Sequence, residues 1–289
     1  MAQIALLTLH GMGVTLKDYA DKLEQDLHSL LGDAWLDVAF ESVYYQGILQ
    51  PNQRAVWNRT RANAKVRWEG LRTFVLSGMS DAVGLEYRKE RAGSAYELAQ
   101  LEIACKLLAA RDQMGGNGSV VFLTQSLGAQ VLSNYLWDAQ LPAGRAAAGI
   151  WRDIDAHAMA IAGHPLSDEE KDFLRGSTLR RWVSTGCNIP IFVAADPQMR
   201  IQPIRPPTDD FHWLNIYDPD DALAWPLRPL GSGYEELVDD RTINAGQSAD
   251  AAPRNWNPLS HVAYWADEGV LGPLSVMLKE LLSEVSELR

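Results

Sequence analysis

Apolar residues occur along this chain in two patterns, short continuous runs and sets spaced every three or four residues. The runs at 4–9, 120–123 and 211–217 are typical of β-strands, and the first two are nearly free of polar residues. The spaced sets are typical of amphipathic α-helices. One of them predicts a first helix over residues 16–31, with these inward positions: Leu16, Tyr19, Ala20, Leu23, Leu27, Leu30 and Leu31.

The later elements alternate in the same way. A strand is predicted within 35–45, a long helix over about 95–110, further strands near 181–184 and 237–243, and a last helix across Leu271 to Leu281. Residues 156–162 fit either a strand or a helix. Alternating strands and helices predict one domain over 1–289 with an α/β fold and a doubly wound, mostly parallel sheet. In such sheets ligands bind at the carboxyl ends of the strands.

Residues 46–93 do not fit this alternation, and we interpret them as a helical lid inserted into the domain. The segment is rich in basic residues, with tryptophans between them: Arg54, Trp57, Arg59, Arg61, Lys65, Arg67, Trp68 and Arg72. Such a mixture suits binding of an anionic or lipid-like substrate. It equally suits a solvated basic helix face whose tryptophans lie in the core, and the sequence leaves both interpretations open.

Composition and charge exclude several classes of protein. With 47% apolar and 22% charged residues the chain is ordinary for a globular protein, and 289 residues can bury a large core. A net charge of −11 argues against a nucleic-acid surface. No apolar run reaches the ~20 residues of a membrane-spanning helix, and the first run predicts a strand rather than a signal peptide. The two distant cysteines, Cys105 and Cys187, favour a reducing compartment, so we expect a cytoplasmic location.

The strongest chemical signal is the turn at Ser126. A glycine-rich loop at 115–118 leads into the apolar run 120–123, and helical spacing begins immediately after Ser126. The serine therefore lies on a tight turn between the end of a strand and the start of a helix. Its hydroxyl would project into the crevice, and the backbone N–H of Leu127 would face any oxyanion that forms. The alternative is a buried serine in an ordinary strand–helix turn.

The pentad Thr124-Gln125-Ser126-Leu127-Gly128 resembles the nucleophile elbow Gly-x-Ser-x-Gly of the α/β-hydrolase family, although Thr124 replaces the first glycine. The pair His10-Gly11 after the first strand also resembles this family. The resemblance implies an oxyanion hole made by the N–H groups of Met12 and Leu127, with His10 orienting the loop rather than acting as base. The alternative is a glycine-rich turn that needs a positive φ.

In that family the acid and the histidine follow the serine in this order. Three aspartates, Asp218, Asp220 and Asp221, follow the strand at 211–217. Residues 215–230 are similar to the corresponding stretch of the DDHD-type phospholipases, which places the acid at Asp221, although Ala222 replaces a proline of that pattern. Each aspartate could instead be a turn residue or a helix N-cap.

His261 is the only histidine after Asp221, and it precedes the last helix. It follows a polar loop that contains Gly246, Ser248, Asp250, Pro253 and Asn257. The resemblance therefore implies that His261 is the base. A histidine at the start of a helix is otherwise a capping or surface residue.

Together these features predict a serine esterase or lipase-like hydrolase that cleaves a carboxylic ester, small or lipid-like, through Ser126, His261 and Asp221. No cofactor or metal is expected, because the sequence has no His-Glu-x-x-His, phosphate-loop or dinucleotide motif. Two alternatives stay open: a non-catalytic hydrolase-like binding protein, and an acyltransferase that uses the same three residues. The oligomeric state is not predicted.

Overall fold

A computed structural model describes residues 1–197, 200–245, 261 and 263–287. Its centre is a six-stranded sheet with the order β2-β1-β3-β4-β5-β6. The strands are β1 (Ile4–Leu9), β2 (Val38–Val43), β3 (Ser119–Gln125), β4 (Leu179–Thr185), β5 (His212–Tyr217) and β6 (Val238–Thr242). The α-helices are α1 (Asp21–Leu31), α2 (Gln46–Asn63), α3 (Glu69–Glu86), α4 (Ala95–Met114), α5 (Leu127–Ala139), α6 (Ile154–Ile161), α7 (Asp168–Leu174), α8 (Ile189–Ala195), α9 (Ser232–Leu237) and α10 (Glu268–Glu287).

All neighbouring strands of the sheet are parallel, so the predicted α/β fold with a parallel, doubly wound sheet is confirmed. Helices cover both faces. On one face Leu23 and Leu27 of α1 pack with Leu274 and Leu278 of α10, and a second core cluster on the other face includes α4 and α5. The chain leaves β1 to form β2 on one side and returns to form β3 on the other. This reversal of strand order makes a crevice at the carboxyl ends of β1 and β3, where ligands bind in such sheets.

The first helix is shorter than its apolar spacing predicts. It begins at Asp21 rather than near residue 16, and both Leu16 and Leu30 are exposed rather than inward. The reason lies in Tyr19, whose hydroxyl donates to the backbone oxygens of Thr8 (2.9 Å) and Val43 (3.0 Å). These bonds hold the preceding residues as a loop at the ends of β1 and β2.

The structure also defines three other segments. The strand predicted within 35–45 is limited to β2 because a 3-10 helix occupies Gly32–Asp37. The ambiguous stretch 156–162 belongs mainly to helix α6. The proline-rich segment that follows β4 begins with a helix, α8, before it becomes irregular.

The segment 46–93 forms α2, α3 and the turns that follow them. Trp57 is half-buried and Trp68 is 75% exposed, so the interpretation that places both tryptophans in the core is wrong. Within the described ranges, no helix combines the length and apolarity needed to cross a bilayer.

Candidate active site

The turn predicted at Ser126 is as tight as the sequence pattern requires. β3 ends at Gln125, α5 begins at Leu127, and Ser126 between them has φ 50° and ψ −118°. This backbone conformation is unusual for a residue with a side chain and costs on the order of 1–3 kcal/mol. Gly128 allows the turn, because a Cβ there would lie 2.6 Å from the carbonyl oxygen of Leu9 and 2.7 Å from that of His10. The start of α5 therefore packs directly on the end of β1.

Thr124, the departure from the elbow pattern, has a structural partner. Its buried hydroxyl accepts a hydrogen bond of 2.9 Å from the indole N–H of Trp182 on β4. Trp182 stacks on Trp213 of β5 with ring centroids 3.8 Å apart. A buried indole N–H needs an acceptor, and the threonine supplies one beneath the turn. A residue larger than glycine is thus accommodated there.

Ser126, His261 and Asp221 meet in one hydrogen-bonded chain. His261 Nε2 lies 2.7 Å from Ser126 Oγ, and His261 Nδ1 lies 2.7 Å from Asp221 Oδ2. All three side chains are buried. The three residues are 40 to 135 positions apart in sequence and come from the ends of β3 and β5 and from the segment before α10. The polar loop predicted before His261 lies outside the described residues.

Of the three candidate aspartates, only Asp221 contacts His261. Asp218 instead accepts the N–H groups of Ala245 and Asp220, both at 2.9 Å, and so shapes the surrounding turns. Asp220 is exposed.

The carboxylate of Asp221 is held ionised by its neighbours. Its Oδ1 accepts the N–H of Leu223 at 3.0 Å, and its Oδ2 accepts the hydroxyl of Tyr264 at 3.0 Å as well as His261. Burial alone would raise the pKa of Asp221, but the hydrogen bond and charge of His261 and these two donors hold it below the usual 3.8. Burial and the charge of Asp221 keep the pKa of the Tyr264 hydroxyl well above its usual range, so that it stays a donor.

His10 is buried beside the site, but it is not placed to act as a base. Its Nδ1 lies 2.9 Å from the carbonyl oxygen of Gly11, and its Nε2 accepts the backbone N–H of Tyr45 at 3.3 Å. The imidazole of His10 stacks on the ring of Tyr45, with centroids 4.1 Å apart. Burial lowers the pKa of His10 to about 4 and outweighs the hydrogen bond to Gly11, which acts in the opposite direction, so the ring is neutral near pH 7. His10 therefore fixes the loop that follows β1.

The neutral state of His10 gives a testable pH dependence. Because its pKa is about 4 in the folded chain and about 6.5 when unfolded, the unfolded state binds more protons between these values. The free energy of unfolding should therefore fall as the pH drops from 7 to 5, by about 2 kcal/mol from this residue alone. Urea unfolding of His10→Asn should show a pH dependence smaller by that amount. Replacing the exposed His28 by asparagine is the matched control, and an equal reduction in both variants would contradict the assignment.

The loop 10–13 lies against the serine. A Cβ at Gly11 would approach the Cβ of Ser126 to 3.0 Å and the carbonyl oxygen of Gln125 to 3.3 Å. The N–H of Leu127 is the first of α5 and has no acceptor within the helix. One pocket of about 380 Å³ joins this loop to the site, and its lining includes His10, Gly11, Met12, Gln125, Ser126 and His261.

Several contacts of the site were not anticipated from the sequence. Gln125 donates its amide to the carbonyl oxygen of His261 at 2.5 Å, and Tyr264 reaches Asp221 from one turn beyond the histidine. Gly186, with φ 56°, leaves room for the imidazole, because a Cβ there would lie 3.3 Å from Cε1 of His261. Two features of the sequence could have indicated these contacts: Gln125 lies inside the pentad, and Tyr264 follows His261 by three residues. Nothing in the sequence pointed to Gly186.

Comparison with known proteins identifies no family. A scan of the chain against models of protein families gives no match, and a search among curated proteins gives no significant match.

The described residues include no group of three or more His, Cys, Asp or Glu side chains that could hold a metal ion.

Proposed function

We propose that this protein is a serine hydrolase that cleaves carboxylic esters and has the α/β-hydrolase fold. The observation that carries the proposal is the chain of two 2.7 Å contacts from Ser126 Oγ through His261 to Asp221, built on a strained turn at the crevice of a parallel sheet. A serine, an imidazole and a carboxylate in this arrangement form the apparatus of nucleophilic acyl transfer.

In the proposed reaction His261 Nε2 takes the proton of Ser126 as the serine oxygen attacks the ester carbonyl carbon. Asp221 keeps the proton of the imidazole on Nδ1, which leaves Nε2 free to accept, and its charge stabilises the imidazolium that forms. His261 then protonates the departing alcohol. Water, deprotonated by the same Nε2, releases the acid from Ser126 and restores the hydroxyl.

The negative charge of the tetrahedral intermediate needs donors that are already in place. We assign this role to the N–H groups of Leu127 and Met12. The helical start of α5 supports the first, and the packing of Gly11 on Ser126 supports the second, because it keeps the loop of Met12 against the turn. Loss of one such donor typically costs about 3 kcal/mol of barrier.

We further assign α2 and α3 as a lid over this site. The ring of Phe74 on α3 lies edge-on to the imidazole of His261, with centroids 6.5 Å apart. Gly78 packs on the side chain of Met12, and Asp81 accepts the N–H of Gly13 at 2.8 Å. A segment in contact with both the base and the proposed oxyanion loop is suited to exclude water.

The competing function is ligand binding without catalysis, which the departure of Thr124 from the elbow pattern would favour. The hydroxyl of Thr124 accepts the indole N–H of Trp182, however, and Thr124 does not prevent the contact between Ser126 and His261. An acyltransferase would share every residue and differ only in the attacking nucleophile. The two cysteines, both free, fit the cytoplasmic location that we propose.

A fluorophosphonate probe tests the proposal directly. We expect the wild-type protein to form a covalent adduct that peptide mass spectrometry assigns to Ser126. Ser126→Ala and His261→Gln should not react, whereas Ser119→Ala, which changes the first residue of β3, should react like the wild type. No reaction of the wild type, or an adduct on another residue, would refute the hydrolase assignment.

A further inference from the structure

The helix pair α2–α3 (residues 46–86) faces the protein mainly with polar side chains and exposes a set of large apolar side chains. The buried positions of α2 are three glutamines, Gln46, Gln50 and Gln53. Those of α3 include Ser77 and Asp81, with Leu85 as the single large apolar side chain. Helices that pack on a core show the opposite arrangement. The helix pair is therefore not attached through a hydrophobic face.

Hydrogen bonds attach the helix pair to the loop after β1. Gln46 donates to the carbonyl oxygen of Gly13 at 2.7 Å, and Gln50 donates to that of Thr15 at 3.1 Å. Asp81 accepts the N–H of Gly13 and the amides of Gln46 and Gln53. This polar network accounts for most of the inward face, while several apolar residues of the pair stay exposed: Ile48, Val56, Trp68, Leu71, Val75, Met79 and Val83.

The outward face of α3 is a continuous apolar stripe. Its members are spaced by four residues, so they lie in one line about 18 Å long. They are Leu71, Val75, Met79 and Val83, with exposed fractions of 46%, 50%, 64% and 61%. Beside the stripe, Trp68 is 75% exposed and stands at the start of α3 with a left-handed backbone, φ 63°. A groove of about 490 Å³ between the helices, lined by Val56, Trp57, Trp68, Leu71 and Val75, continues this surface.

Positive charge is concentrated in the segment that leads into the stripe. Residues 54–72 contain six basic residues and one acidic residue, Glu69, a net charge of +5 in a chain whose total is −11. Arg61 pairs with Glu69 at 3.3 Å. The other five basic residues form no ion pair with a carboxylate in the ranges that the structure describes. They are Arg54, Arg59, Lys65, Arg67 and Arg72.

From this surface we infer that the helix pair docks on the surface of an anionic phospholipid bilayer. An apolar stripe with a tryptophan, flanked by arginine and lysine, is the pattern of helices that lie in the membrane interface. Charge complementarity selects anionic lipid over neutral lipid. The acyl chains of a bilayer would cover the exposed valine, leucine and methionine side chains of the stripe. An acidic protein surface would pair with the basic residues but would leave these apolar side chains in water, so we favour the bilayer.

Docking in this orientation would also indicate a substrate class, an inference that rests on the proposed hydrolase function. The same α3 that carries the stripe places Phe74 beside His261 and Gly78 on Met12. A bilayer at the outer face of α3 would therefore lie one helix away from the pocket of Ser126. The substrate class that follows is an ester of a membrane lipid or of another amphiphile dissolved in the bilayer.

Vesicle flotation of the full chain tests the inference. We expect the Ser126→Ala protein, which would not hydrolyse the lipids, to float with vesicles of phosphatidylcholine and phosphatidylglycerol but not with pure phosphatidylcholine, and to dissociate as salt is added. Adding Arg54→Gln, Arg59→Gln and Arg67→Gln should lower the partition coefficient roughly 100-fold. Adding Trp68→Ser and Val75→Ser should lower it roughly 10-fold or more. The matched control, with Arg145, Arg200 and Lys279 changed to glutamine, should float like its parent.

The outcomes separate this inference from the hydrolase assignment. Equal binding to neutral and anionic vesicles, or undiminished binding after the three arginine changes, would overturn the docking site. So would light scattering that shows a dimer dispersed by Trp68→Ser and Val75→Ser in a protein that does not float. Because flotation needs no reaction, its failure leaves the fluorophosphonate result standing, and a failed fluorophosphonate reaction leaves flotation standing. Thermal melting by circular dichroism checks that each variant is folded.

Discussion

Replacing Ser126 by alanine is expected to lower kcat for a short-chain p-nitrophenyl ester by at least about 10⁴-fold. The variant keeps the pocket and the proposed oxyanion donors but has no oxygen to attack the carbonyl, so KM should change little. The backbone at this position adds a second effect. Alanine has the same unfavourable φ of 50° as serine, so we expect no gain in stability from the change. Steady-state kinetics and urea unfolding measure the two effects.

The control for this variant is Ser119→Ala, which changes the serine at the start of β3, the strand that leads to Ser126. It should retain wild-type kcat. A Ser126→Ala protein that keeps a tenth or more of the wild-type activity would contradict the assignment of the nucleophile, provided that the unfolding curves show both proteins folded.

The second large effect is expected from Asp221→Asn, which should lower kcat by about 10⁴-fold near pH 7. The oxygen of the new amide must accept the N–H of Leu223, as Oδ1 does in the wild type, so the NH₂ group takes the place of Oδ2. It would then donate to Nδ1 of His261, where the carboxylate accepts. The proton of the imidazole moves to Nε2, which can no longer accept from Ser126.

This result would also identify the acid among the three aspartates. Asp220→Asn changes an exposed neighbour by the same chemistry and should leave kcat unchanged. Because the geometry of the site is retained in Asp221→Asn, the loss should recover in part at high pH, where hydroxide can assist the attack. A loss with Asp220→Asn as large as with Asp221→Asn would mean that the turn, rather than one carboxylate, is required.

Much of the fold could be predicted because local pattern and burial agree. The run 120–123 is apolar without alternation, and β3 is indeed a central strand, buried between β1 and β4. The turn at Ser126 followed from the change of period from strand to helix. The start of α1 could not be predicted in this way. Leu16 has the right spacing for the helix, but the hydrogen bonds of Tyr19 to two strand ends override that spacing.

In the candidate site, too, some features followed from the sequence and others depended on tertiary contacts. The residue order that the resemblance implies selected His261, since no other histidine follows the aspartates, and the structure brings it to Ser126 and Asp221. The motif register already favoured Asp221 among the three aspartates, and the coordinates show that this carboxylate, rather than a neighbour in the same turn, contacts His261. The contacts of Gln125 and Tyr264 with the histidine segment and the acid also join residues that no local pattern relates.

For this protein the sequence by itself determined the alternation of strands and helices, the tight turn at Ser126 and the basic character of residues 54–72, because these depend on neighbours within a few positions. Only the tertiary structure decided which way the helix pair faces and how the carboxylate of Asp221 is held against His261. Both depend on hydrogen bonds between distant segments: the glutamines and Asp81 turn their helices toward Gly13, and Tyr264 and His261 converge on Asp221. Such bonds become defined only when the sheet has brought the strand ends together.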